Sequence, residues 1–171
     1  MNGLFDGNFI KKVLVVVPAT MKNYWEEELG KWAPVAPQVI QFDDKKRDQR
    51  YKQMKSLRKK GGVLITSYGM ASSESMNLSD IRYDIIIIDE GHKAKNKNTQ
   101  FRKDIASLKV KGHRVILTGT PLQNNLSELW SVFDIVQPKI FGTFERFQTQ
   151  FANPIEKGLL KGASPQLKLR S

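Results

Sequence analysis

The sequence predicts an α/β fold, a mostly parallel sheet with helices on both faces. Apolar, β-branched runs recur without polar alternation, which marks strands buried on two sides. Between them lie stretches with apolar residues three and four apart, the spacing of amphipathic helices. The two kinds of segment alternate along the chain, as in a sheet built from crossover units.

Residues 12–17 form the first strand, stopped by Pro18. Thr20 is placed to cap a helix with Trp25, Leu29 and Trp32 on one face. Pro34 and Pro37 bracket a loop before a second strand at 38–42. A helix over 45–60 follows, with Tyr51, Met54 and Leu57 as its apolar stripe, closed by Gly61 and Gly62. Residues 63–66 are a third strand, leading through Ser67, Tyr68 and Gly69 into a short helix. After a turn at 80–82, residues 83–89 are the clearest buried strand.

A loop around Asn96 and Asn98 precedes a helix at 101–108, with Phe101, Ile105 and Leu108 on one face. Residues 113–117 are a fifth strand and 118–125 a polar loop. Leu126, Leu129, Trp130 and Phe133 mark one helix; Phe144, Phe147 and Phe151 mark another, capped by Thr143. The pattern fades after Asn153 and Pro154, so the domain is expected to span 1–152, with 153–171 a loop or frayed end.

Composition narrows the function classes. The 171 residues fit one domain, and 40% apolar content suffices for a packed core. The absence of cysteine excludes a disulfide scaffold, a thiolate metal centre and a cysteine nucleophile. With only His92 and His113, zinc ligation by His92 is disfavoured too. No apolar run approaches the ~18 residues of a membrane span. The opening residues carry no secretory pattern, so an intracellular location is expected.

The net charge of +11 suggests a polyanionic partner, nucleic acid first. It is concentrated at 45–60, where Lys45, Lys46, Arg47, Arg50, Lys52, Lys55, Arg58, Lys59 and Lys60 face a single acid, Asp48. That helix reads either as a solvated outer face or as a DNA-facing one.

In parallel sheets the ligand sits beyond the carboxyl ends of the strands. Those ends carry Pro18-Ala19-Thr20, Thr66-Ser67-Tyr68, Asp89-Glu90-Gly91-His92 and Thr118-Gly119-Thr120. Adjacent carboxylates after a buried strand are costly without a cation. A magnesium–nucleotide complex accounts for Asp89 and Glu90, the first holding the metal and the second orienting or deprotonating water. A cap and dipole role for a following helix accounts for them as well.

The run Asp-Glu-Gly-His-Lys-Ala-Lys-Asn at 89–96 resembles the Walker B box, motif II, of the Snf2 family of helicase-like ATPases. Residues 115–134 are similar to its motif III and the helix after it, 13–29 to motif Ia, and 63–70 to motif Ib. Four boxes stand in order, and the combination looks most like the excision-repair and Rad54-like branch. The resemblance implies the first, RecA-like lobe of a double-stranded-DNA translocase using ATP and Mg²⁺. By that resemblance it would act on chromatin or DNA-bound proteins, nucleosomes included, in the nucleus. By the same resemblance Asp89 coordinates magnesium, Glu90 is the catalytic base, and His92 links the nucleotide site to motif III. Thr118, Gly119, Thr120, Gln123 and Asn124 couple ATP to DNA. Thr20, Thr66 and Ser67 lie near DNA phosphates.

The sequence contains no G-x-x-x-x-G-K-[ST] loop. Against the family pattern the chain is expected to begin after the phosphate-loop strand and to end before the second motor lobe. The 171 residues are then expected to be inactive alone, with an unpaired apolar strand edge beside residues 115–117. The alternative is a non-catalytic DNA-binding or scaffold fragment.

Overall fold

The computed structural model describes residues 1–43, 46–91, 100–119 and 126–159. Its centre is one sheet of Lys12–Val17 (β1), Val39–Phe42 (β2), Gly62–Ser67 (β3), Arg82–Ile88 (β4) and Lys109–Ile116 (β5). The order is β2-β3-β1-β4-β5 and every pairing is parallel. The helices are Asn2–Asp6 (α1), Lys22–Trp32 (α2), Arg47–Lys60 (α3), Tyr68–Ser73 (α4), Ser75–Ser79 (α5), Gln100–Ser107 (α6), Leu126–Val136 (α7), Phe144–Phe147 (α8) and Asn153–Leu159 (α9).

The central strands are apolar at consecutive positions because alternate residues serve two cores. Leu14, Val16, Leu64, Ile86 and Ile88 point to one face, under Met54 and Leu57 of α3, Leu78 of α5, Ile105 of α6 and Ile135 of α7. Val13, Val15, Val17, Val63 and Ile65 point to the other, under Phe5 of α1 and Leu29 of α2. That second cover is incomplete. Val115 pairs in register with Ile87 and so shares its face, yet is 38% exposed, and Leu117 is 41% exposed.

The chain leaves β1 toward β2 and leaves β4 toward β5, in opposite directions along the sheet. The carboxyl ends of β1 and β4 therefore flank the switch point where open α/β sheets hold ligands. Val16 pairs with both Thr66 and Ile88, and Ile88 with Ile116. The segments after β1, β3, β4 and β5 thus leave the sheet at one edge.

All five expected strands and the main helices are present, with several differences. β5 starts at Lys109 rather than at 113, because pairing with Arg82 and Tyr83 extends it through Lys109 and Val110. Trp32 is 73% exposed instead of buried. Ala33 takes the last covered place after Leu29, and the Trp32 indole donates outward to Glu28 at 2.8 Å. Tyr51 is exposed above the buried pair Met54 and Leu57. Thr20 does not cap α2; it lies in a 3₁₀ turn, Ala19–Met21, and no side chain caps the helix that follows.

The helix expected from Phe144, Phe147 and Phe151 does form, with the Thr143 hydroxyl accepting from the Arg146 N–H at 3.4 Å. It continues through a π-type turn, Gln148–Ala152, into α9, so 153–159 is helical rather than loop. Residues 160–171 lie outside the described residues.

Candidate nucleotide and DNA edge

Asp89 leaves β4 at the switch point, and its main chain is tied to the neighbouring strand by Asp89 N–H to Val16 O at 2.9 Å. Its carboxylate is held at both oxygens. The indole of Trp25 donates to Oδ2 at 2.8 Å, and the Glu90 amide donates to Oδ1 at 2.9 Å. The Tyr68 hydroxyl, from the start of α4, donates to the Asp89 carbonyl. Burial first, then the Asp89 and Glu90 carboxylates, pushes the Tyr68 phenol well above its ordinary pKa, so it keeps its proton into the alkaline range.

Glu90 turns the chain sharply. Its φ is +53°, in the left-handed region that costs a side-chain-bearing residue about 1 kcal/mol. Gly91 then closes on β5, its N–H donating to Leu117 O at 2.9 Å. A Cβ at Gly91 would stand 2.2 Å from Ile116 Cγ2, so no side chain fits there without displacement. The Asp-Glu-Gly run is thereby braced against the end of the strand that leads into Thr118 and Gly119.

Thr118 and Gly119 are exposed at the same edge, just past β5. Thr20 is exposed in the turn after β1. Ser67 is half-buried and caps α4, its hydroxyl accepting from Met70 N–H at 3.2 Å. Thr66 departs from expectation. It is fully buried on β3, so it offers no surface to a phosphate in this structure. His92, Thr120, Gln123 and Asn124 fall outside the described residues.

The donor set fits a magnesium–nucleotide complex. Each Asp89 oxygen accepts one of these hydrogen bonds and has two lone pairs. Among the described residues no group of three or more His, Cys, Asp or Glu could hold a metal ion. Mg²⁺ is ordinarily bound by one or two carboxylates, with water and phosphate completing the shell. Sequence spacing missed the contacts of Trp25, Tyr68 and Gly91. Trp25 reads there only as a core residue four before Leu29, since spacing reports which face a side chain takes and not where an N–H points.

The family model of the SNF2-related domain matches residues 6–170, almost the whole chain. The chain belongs to the SNF2-related family. The DNA excision repair protein ERCC-6-like of Danio rerio is 34% identical over 171 residues, covering 96% of this chain and 12% of the relative. Its Homo sapiens counterpart is also 34% identical, with 96% and 14% covered. The Sulfolobus solfataricus SWI2/SNF2 ATPase core, solved in complex with dsDNA, superposes with a TM-score of 0.77 at 30% identity. That match covers 98% of this chain and 34% of the archaeal one. This SNF2-related chain thus spans a small part of its curated relatives and about a third of the solved core. Its five-stranded parallel sheet is the RecA-like sheet of that core.

Proposed function

We propose that the chain is the greater part of the first lobe of an ATP-driven double-stranded-DNA translocase, acting in the nucleus on chromatin or on proteins bound to DNA. The observation that carries this reading is the Asp89–Glu90 turn, anchored at the β1–β4 switch point and braced on β5. Asp89 would hold Mg²⁺. When bound, the ion neutralises charge on the phosphates of ATP. Glu90 would take the proton of the attacking water, and His92 would link it to motif III. Thr118, Gly119, Thr120, Gln123 and Asn124 would relay nucleotide state to DNA. Thr20 and Ser67 would meet DNA phosphates, contacts that position a duplex without reading its sequence.

Two parts of such a motor are proposed to come from elsewhere, the phosphate-gripping loop and the second lobe. The open side of β5 supports the first of these, as the place of a further strand. Val115, Ile116, Val132, Phe133 and Val136, with Arg114 and Thr118, line a mostly apolar groove of about 360 Å³ there, suited to a further strand. The test is ATP hydrolysis by the 171-residue chain with and without duplex DNA. The expected result is no hydrolysis above buffer, with DNA binding that weakens steeply as salt rises. DNA-stimulated turnover by this chain would overturn the division of labour. A second reading, a DNA-binding module without catalysis, draws on α3, whose Lys52, Lys55, Lys59 and Lys60 are exposed.

A further inference from the structure

Trp25 and Asp89 lie 64 positions apart, yet the indole N–H meets Asp89 Oδ2 at 2.8 Å in a part-buried setting. The Trp25 ring packs against the cluster of Val13, Val15, Val17 and Leu29, which fixes where that N–H points. Among the described residues the other carboxylate oxygen is held by the next amide in the chain, Glu90 N–H. A carboxylate with one local donor can still turn about its side-chain torsions; a second donor from a different element stops it.

We infer that Trp25 is a positioning residue, its indole setting the orientation in which Asp89 presents its free lone pairs to a divalent metal. The inference rests on the reading of Asp89 as a metal ligand. It adds a mechanical link: Trp25 belongs to the helix that begins directly after the Thr20 turn.

The test uses the 171-residue chain with ¹⁵N-labelled indoles, read by NMR, and Mn²⁺ alone as the probe. The chain has three tryptophans, so each indole cross-peak is assignable by single Phe replacements. Asp89→Ala is expected to shift the Trp25 indole peak and leave that of Trp32, which bonds Glu28, in place. Mn²⁺ is expected to broaden the Trp25 indole and the Glu90 amide in the wild-type chain. Trp25→Phe is expected to raise the Mn²⁺ concentration needed at Glu90 about tenfold, the scale of one lost charge-assisted hydrogen bond.

Equal Mn²⁺ sensitivity in Trp25→Phe overturns the inference and leaves Asp89 a metal ligand. An unmoved Trp25 peak in Asp89→Ala overturns it too, and that arm does not depend on the Trp25 variant folding. No selective broadening near Asp89 in the wild-type chain defeats the metal reading and the inference together.

Discussion

Gly91 lies against Ile116 so closely that a Cβ there would stand 2.2 Å from the isoleucine Cγ2 and 3.3 Å from its Cβ. Two main-chain bonds hold the approach: Gly91 N–H to Leu117 O at 2.9 Å and Leu117 N–H to Ile88 O at 2.8 Å. Neither backbone can retreat without breaking the end of the β4–β5 ladder. Gly91→Ala is therefore expected to destabilise the fold by about 1–3 kcal/mol, the usual cost of overpacking. Adding Ile116→Ala should restore part of that loss, a coupling of at least about 0.5 kcal/mol in a double-mutant cycle. Urea unfolding of the four chains measures it. Strict additivity would show that close approach is not what demands glycine at this position.

Tyr68 gives the same site an alkaline limit. Its hydroxyl donates to the Asp89 carbonyl, its ring packs on Phe101 with centroids 4.5 Å apart, and its pKa is raised, chiefly by burial. A raised folded-state pKa means that the native chain holds the phenol proton more tightly than the unfolded chain. The stabilisation is complete below the unfolded value near ~10 and is lost as pH rises above it. Tyr68→Phe should cost about 1 kcal/mol at pH 7 and flatten the decline of stability above pH ~10. Denaturant midpoints at neutral and alkaline pH test both effects. An unchanged alkaline slope in the variant would count against the assignment.

Tyr83 should behave in the opposite way at neutral pH. It is fully buried on β4, and its hydroxyl has no hydrogen-bond partner among the described residues. Burial raises its pKa as well. Removing an unsatisfied buried hydroxyl while keeping the ring is neutral or stabilising, by up to about 1 kcal/mol. Tyr83→Phe is thus expected to melt at the same temperature or a few degrees higher. A clear drop in melting temperature would mean that the hydroxyl is satisfied in solution.

Much of this architecture was legible in the sequence because the strands bury both faces. Five consecutive apolar, mostly β-branched residues from Val13 to Val17 read as a strand with a core on each side, and the structure splits them between two clusters. The expectation that the residues following the strands gather at one edge followed from the parallel sheet alone, and Asp89, Glu90, Thr118 and Gly119 do share that edge. Burial at strand ends was not legible. Thr66 and Ser67 are adjacent and both polar, yet the first is sealed between Val16 and Phe42 in register and the second caps α4. Helical spacing also promised too much. Trp32 sits on the Trp25–Leu29 face of α2 but stands exposed at its last turn, a matter of what the helix overlies rather than of period.

The exposed face of β5 has a consequence for handling the chain. Val115 and Leu117 stand 38% and 41% exposed at an end strand, beside the groove lined by Val132, Phe133 and Val136. An apolar strand with an open edge is a template for pairing with another chain. The 171-residue chain is therefore expected to self-associate at micromolar concentration. Val115→Lys and Leu117→Lys place a charge on that face where each side chain already meets solvent, so each should change stability by no more than about 0.5 kcal/mol. Both should shift the chain toward monomer, since an edge lysine must be desolvated before a second strand can dock. Sedimentation velocity across a concentration series separates the outcomes. A wild-type chain that sediments as monomer throughout, or lysine variants that associate as it does, would locate the contact away from β5.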